Sequence, residues 1–177
     1  MAKSSVKQIE QDEKTILDEL IKNANKTVND IAKSCGFSRQ KVWRVIKNLE
    51  AKKLIWGYTT VFDEEKLGKK HFILMIKRTL EQLDEEVIDK IISTETEELA
   101  KKYGIAIENS AFIHGEYDWM LTFTTDDIKQ AKQFVEFLLT TYTGTQKITV
   151  LQTMMFVRKN YVLNPDREKL KQFHINY

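Results

Sequence analysis

Apolar positions at the start of the chain fall into three short clusters at helical spacing, each followed by polar punctuation. Ile16, Leu17, Leu20 and Ile21, standing behind Asp12 and Glu13, predict an amphipathic helix over residues 12–24 with acidic groups at its positive end. Thr27 and Asp30 have the spacing of a capping box. Val28, Ile31, Ala32 and Cys35 supply the stripe of a second helix, and Gly36 stands where a left-handed residue ends it. Ser38 then caps a third helix, whose Val42, Val45, Ile46 and Leu49 fall at i, i+3, i+4 and i+7.

Two short helices joined around a glycine predict a helix-turn-helix. Ala32 is small where the helices touch, Gly36 reverses the chain, and Val42 and Val45 pack back. On a wheel of ~100° per residue with Val42 at zero, Gln40, Arg44 and Lys47 lie near ~160°, ~200° and ~140°, opposite the apolar stripe. That face suits the major groove of duplex DNA. Arg44 has the fork for guanine O6 and N7, Gln40 the amide for adenine N6 and N7, and Lys47 the reach for a phosphate. Ser38 and Arg39 occupy the helix N-terminus, where unpaired N–H groups favour a phosphate. Trp43, at about 100°, is on the shoulder: it either packs on the second helix or a partner chain, or touches a thymine methyl or sugar.

Downstream the period changes. Residues 70–80, with the apolar run Phe72 to Ile76, predict a buried strand; residues 84–103, with Val87, Ile88, Ile91 and Ile92, predict a long helix closed by Gly104. Residues 105–113 and 119–124 read as strands joined through residues 114–118. Residues 126–142 form a helical pattern through Ile128, Ala131, Phe134, Val135, Leu138 and Leu139, and residues 148–157 close with a strand. The order β-α-β-β-α-β predicts a ferredoxin-like sheet covered by helices on one face, giving an α+β chain with an N-terminal helix-turn-helix. The bare face of such a sheet calls for a second copy to cover it. Asn164 before Pro165 predicts the cap of a short final helix over residues 166–173, either docked through Phe173 and Tyr177 to the body or a neighbouring subunit, or undocked. The expected organisation is a DNA-binding domain over 1–60, a linker over 61–69, a ferredoxin-like domain over 70–157 and a tail over 158–177.

Charge sharpens this picture. Net charge is +2 over 177 residues, but residues 1–60 hold 12 Lys/Arg against 7 Asp/Glu and residues 61–177 hold 16 against 19, or +5 and −3. On charge alone a basic first half fits either a polyanion partner for that half or a solvated lysine-rich surface, and the helical pattern favours the partner. The longest wholly apolar run is far below the ~18 residues of a membrane span, and charges fill the first twenty positions, so a cytoplasmic protein with no membrane partner is expected. A single cysteine, Cys35, and three scattered histidines, His71, His114 and His174, offer no disulfide and no metal-ligand spacing. No phosphate-binding glycine loop and no nucleophile–base set is present, so neither an enzyme nor a cofactor is expected.

Leu49-Glu50, Leu54-Ile55, Gly57-Tyr58 and Leu67-Gly68, in that order, followed by Gly115-Glu116-Tyr117-Asp118, resemble the Lrp/AsnC (feast/famine) transcriptional regulators over about residues 10–157. The resemblance implies a sequence-specific regulator that dimerises, and often assembles further, through its C-terminal domain. It also implies a free amino acid or similar small effector near the Gly-x-Tyr-Asp hairpin. Gly115, Tyr117 and Asp118 are then the effector candidates: Tyr117 to wall the site, Asp118 to accept from an ammonium, Gly115 to admit backbone approach. A purely structural role, Gly115 making the turn and Asp118 capping it, is the alternative. Two reading helices about a two-fold axis ask for half-sites roughly 34 to 36 Å apart, or a multiple. The chain departs from the family at Val45, where arginine is usual, at Lys53, where glycine is usual, in a longer segment before the hairpin, and in the tail. The competing reading is an architectural, chromatin-like DNA-binding protein with little sequence preference and no effector.

Overall fold

The computed structural model describes residues 5–142 and 144–176. The chain divides into two compact units, one holding residues up to Val61 together with those from Val157 onward, the other holding Phe62–Phe156. The expected linker over 61–69 thus falls almost wholly within the second unit.

Three helices open the first unit: α1 (Val6–Lys22), α2 (Val28–Cys35) and α3 (Arg39–Ala51). Ile16, Leu20, Ile31, Ala32, Val42 and Ile46 form its core, with Val28, Cys35, Phe37, Val45 and Ile55 packed around them. Both predicted caps are present. Thr27 Oγ1 accepts from the Asp30 N–H and donates to the Asp30 carboxylate at 2.7 Å, while Ser38 Oγ accepts from the Lys41 N–H. Gly36 takes the left-handed conformation, φ 67°, that ends α2.

α1 differs from expectation. It starts at Val6 behind Ser5, whose side chain accepts from the Gln8 N–H, so Asp12 and Glu13 sit in mid-helix and not at its positive end. Asp12 is buried and Ile21 is exposed. The reason is tertiary: α3 presents lysines to α1, and these stabilise carboxylates on the packed face.

From Val157 onward the chain forms a two-residue hairpin, β5 (Arg158–Lys159) and β6 (Val162–Leu163), and a final helix, α7 (Arg167–Asn176). The α7 cap is Asp166, whose Oδ1 accepts from the Lys169 N–H; Asn164, the expected cap, instead accepts from the Asp166 N–H. The cap therefore lies two residues beyond the position that sequence spacing implies, and Pro165 precedes the helix where its first residue was expected. Phe173 is half-buried, and Tyr177 lies outside the described residues.

In the second unit, β1 (Lys70–Arg78), β2 (Ala106–Phe112), β3 (Trp119–Thr125) and β4 (Thr145–Gln152) form one antiparallel sheet in the order β2-β3-β1-β4. The helices are α4 (Glu85–Ile92), α5 (Glu95–Lys101) and α6 (Ile128–Thr141). Phe72, Leu74 and Ile76 of β1, with Trp119, Leu121 and Phe123 of β3, meet Val87, Ala100, Ala131, Phe134 and Leu138 of the helices in a single core. This is the ferredoxin-like arrangement.

Two expectations are corrected here. The long helix over 84–103 is broken at Ser93 and Thr94 into α4 and α5, where Thr96 Oγ1 turns back to the Lys90 carbonyl and meets the Tyr142 hydroxyl. As a result only Val87 and Ile91 of the proposed stripe pack on the core, and Ile88 and Ile92 are exposed. The last strand starts at Thr145 and ends at Gln152; Met154 and Val157, placed in it by hydropathy, are exposed.

Candidate nucleic-acid interface and effector hairpin

The third helix builds the first site. Its N-terminal turn and outward face line a groove of about 570 Å³ together with Val28 of α2. Ser38, Arg39, Gln40, Trp43 and Arg44, all named from sequence as contact residues, meet there, joined by Lys41. Lys47, the remaining candidate, does not line the groove.

Electrostatics sorts these cations. Lys41 Nζ lies 2.6 Å from the buried Asp12 carboxylate, Lys47 Nζ 2.7 Å from Glu50, and Lys52 Nζ 2.8 Å from Glu13. Arg39 and Arg44 have no ion pair among the described residues. Unpaired guanidiniums on an outward helical face keep their charge and donors for a ligand. Trp43 is 56% exposed, so its indole is presented to solvent beside Arg44.

Carboxylates hold the helix in place from behind. The Lys41 ammonium, hydrogen-bonded to Asp12, keeps that carboxyl below the ordinary aspartate range against the opposing effect of burial, with Gln8 helping. Asn48 Nδ2 donates to Glu13 Oε1 at 2.7 Å, adding a second tie from α3 to α1. Glu50 accepts from Lys47 and from the Tyr58 hydroxyl, and both bonds depress its pKa. Sequence reasoning missed this framework, although Asp12 and Glu13 in mid-helix opposite a lysine-rich helix carried the signal.

The second candidate site lies where β2 turns into β3. Ile113 N donates to the Asp118 carbonyl, and Asp118 N donates to the Ile76 carbonyl, both at 2.9 Å, pinning the turn onto β1. Asp118 Oδ2 accepts from the Arg78 N–H at 2.8 Å, and Tyr117 and Thr149 of β4 share a hydroxyl hydrogen bond at 3.1 Å. Lys147 Nζ stands 6.0 Å from the Tyr117 ring centroid. Gly115 has φ 149°, a value that L side chains rarely adopt, yet an added Cβ would meet no atom within 4 Å. The glycine is required by the backbone and not by crowding. The three predicted effector residues therefore stand together, with Asp118 already engaged by the main chain.

Residues 13–55 match a family of winged helix-turn-helix DNA-binding domains. Over 60 residues the chain is 40% identical to the HTH-type transcriptional regulator LrpA of Pyrococcus abyssi, a match covering 34% of this chain and 43% of that protein. An AsnC family transcriptional regulator from Agrobacterium tumefaciens superposes with a TM-score of 0.63 at 19% identity, covering 88% of this chain and 97% of that one. The chain has the Lrp/AsnC fold. A feast or famine regulatory protein from M. tuberculosis, complexed with L-methionine, shares the same Lrp/AsnC architecture with a TM-score of 0.66 at 16% identity, covering 90% of this chain and 97% of that one. Among the described residues no helix is long and apolar enough to cross a membrane.

Proposed function

We propose that this protein is a sequence-specific, DNA-binding transcriptional regulator of the Lrp/AsnC type. The observation that carries the reading is the α3 groove, which gathers Ser38, Arg39, Gln40, Trp43 and Arg44 with two uncompensated guanidiniums. In it α3 enters the major groove, Arg44 and Gln40 read base edges, Trp43 contacts a thymine methyl or sugar, and Ser38 and Arg39 hold a phosphate at the helix N-terminus. Lys47 reaches a second phosphate by exchanging Glu50 for it. Sequences selected from random duplex DNA test this reading. Binding of the best site more than about a thousandfold over random duplex supports it, and a ratio under about tenfold would assign the protein an architectural role.

The protein acts as a homodimer, formed through the sheet face turned away from the helices. Ile73 and Met75 of β1, Met120 of β3 and Leu151 of β4 lie on that face by register, and Leu151 is 48% exposed. A second copy removes this apolar strip from water and sets two copies of α3 about a two-fold axis. The hairpin of Gly115, Tyr117 and Asp118 takes an amino-acid-like effector, with Lys147 on hand for a carboxylate. The L-methionine complex of the M. tuberculosis relative favours that ligand class. A thermal shift with L-methionine and other amino acids, lost in Tyr117→Ala, tests the assignment.

A further inference from the structure

The matched domain family is winged, yet residues 52–63, which follow α3, form no strand among the described residues. The two-stranded hairpin of the first unit comes instead from the far end of the chain, as β5 and β6. We propose that this hairpin is the wing of the DNA-binding unit and lies against the duplex backbone or minor groove beside the site read by α3. The inference rests on the DNA-binding reading and adds a second, non-contiguous contact element to it.

Charge gives the first argument. Residues 157–177 hold five Lys/Arg and two Asp/Glu, so with the 12 and 7 of residues 1–61 the first unit carries +8, while residues 62–156, with 11 and 17, carry −6. The basic tail thus belongs to the basic unit, and the remainder of the chain is acidic. A polyanion is the partner such a surface fits.

The tip gives the second. Asn160 and Tyr161 link the strands with φ of 42° and 67°, the left-handed pair of a two-residue hairpin turn. Asparagine is common there, but a bulky aromatic is not. Tyr161 is 71% exposed, and Arg158 Nη1 donates to its carbonyl at 2.9 Å, bracing the turn. The result is an exposed aromatic ring at the tip of a hairpin that carries Arg158 and Lys159, suited to sugar and phosphate contacts beside a groove.

The test uses the full chain and its best selected duplex, comparing wild type, Tyr161→Gly, Arg158→Glu and Arg44→Ala by anisotropy across a salt series and by hydroxyl-radical footprinting. Glycine suits φ 67° at position 161, so the hairpin persists while the ring is removed. The proposal expects Tyr161→Gly to weaken binding about three- to tenfold and to erase protection flanking the α3 site. It expects Arg158→Glu to lower the slope of log affinity against log salt by about one. Unchanged footprints and slopes in both variants, with Arg44→Ala still defective, would overturn the wing and leave the DNA-binding reading intact. Loss of dimerisation in Tyr161→Gly would overturn it in favour of a protein contact. Failure of wild type to bind any duplex would remove both readings.

Discussion

Lys41 Nζ sits 2.6 Å from Asp12 Oδ2 and 3.8 Å from the centre of the Phe37 ring, so a lysine in the basic turn of α3 is engaged in holding α3 against α1. Asp12 is 5% exposed, and without Lys41 it is left buried with only Gln8 as partner. Lys41→Ala is expected to destabilise the protein by about 1–3 kcal/mol in urea titrations. Arg44→Ala, on the exposed face, is expected to change stability by less than about 0.5 kcal/mol. Equal stabilities for the two variants would show that the Asp12 pair is dispensable.

The two outward cations separate in DNA binding. Arg44→Ala is expected to cost about 1–3 kcal/mol on the selected site and to relax preference at one base pair. Lys47→Ala is expected to weaken selected and scrambled duplexes alike and to reduce the salt slope. Parallel losses on both duplexes for Arg44→Ala would reject its reading role.

How far the sequence carries is best seen in particular residues. Thr27 with Asp30, Ser38, Gly36 and the wheel of α3 were legible because caps and period are local, and the structure returns each of them. The order of β1 to β4 and of the helical segments between them was legible for the same reason, whereas the break between α4 and α5 and the β5–β6 hairpin were not. Where neighbours remote in sequence decide, the pattern misled: Asp12 is buried because Lys41 lies opposite, Ile88 and Ile92 are exposed because the chain breaks at Ser93, and Met154 leaves the sheet although it is apolar. The membership of the tail in the first unit leaves no trace in caps or periodicity, only an excess of Lys/Arg in the tail.

Leu151→Glu places a charge on the sheet face assigned to the second copy. Because Leu151 is half exposed in the single chain, folding is expected to survive while the dimer dissociates, read by sedimentation velocity with circular dichroism unchanged. A dimer that persists would place the interface elsewhere.

Acid should loosen the first unit. Lys26 and then Lys22 hold the Glu19 carboxyl down to about 2 from its ordinary 4.5, and Asp12 and Asp30 are lowered by Lys41 and by the Thr27 hydroxyl. Groups with depressed native pKa values add stability above their unfolded pKa, and the unfolded chain binds more protons below it. Melting temperature is therefore expected to fall as pH drops from about 4.5 towards 2, with a shallower fall in Lys26→Met. A flat profile would mean that these pairs persist equally in the unfolded chain.

The strand order has a consequence for how the chain is made. β1 lies between β3 and β4, so its edges find their partners only after synthesis has passed Thr125 and then Gln152, whereas α1 to α3 close on one another within the first 51 residues. Low-separation contacts form fast and long-range pairing waits. The emerging polypeptide thus packs α1 to α3 early, holds an unpaired middle strand while the sheet assembles, and supplies β5, β6 and α7 to the first unit only after the last strand of the sheet has been made.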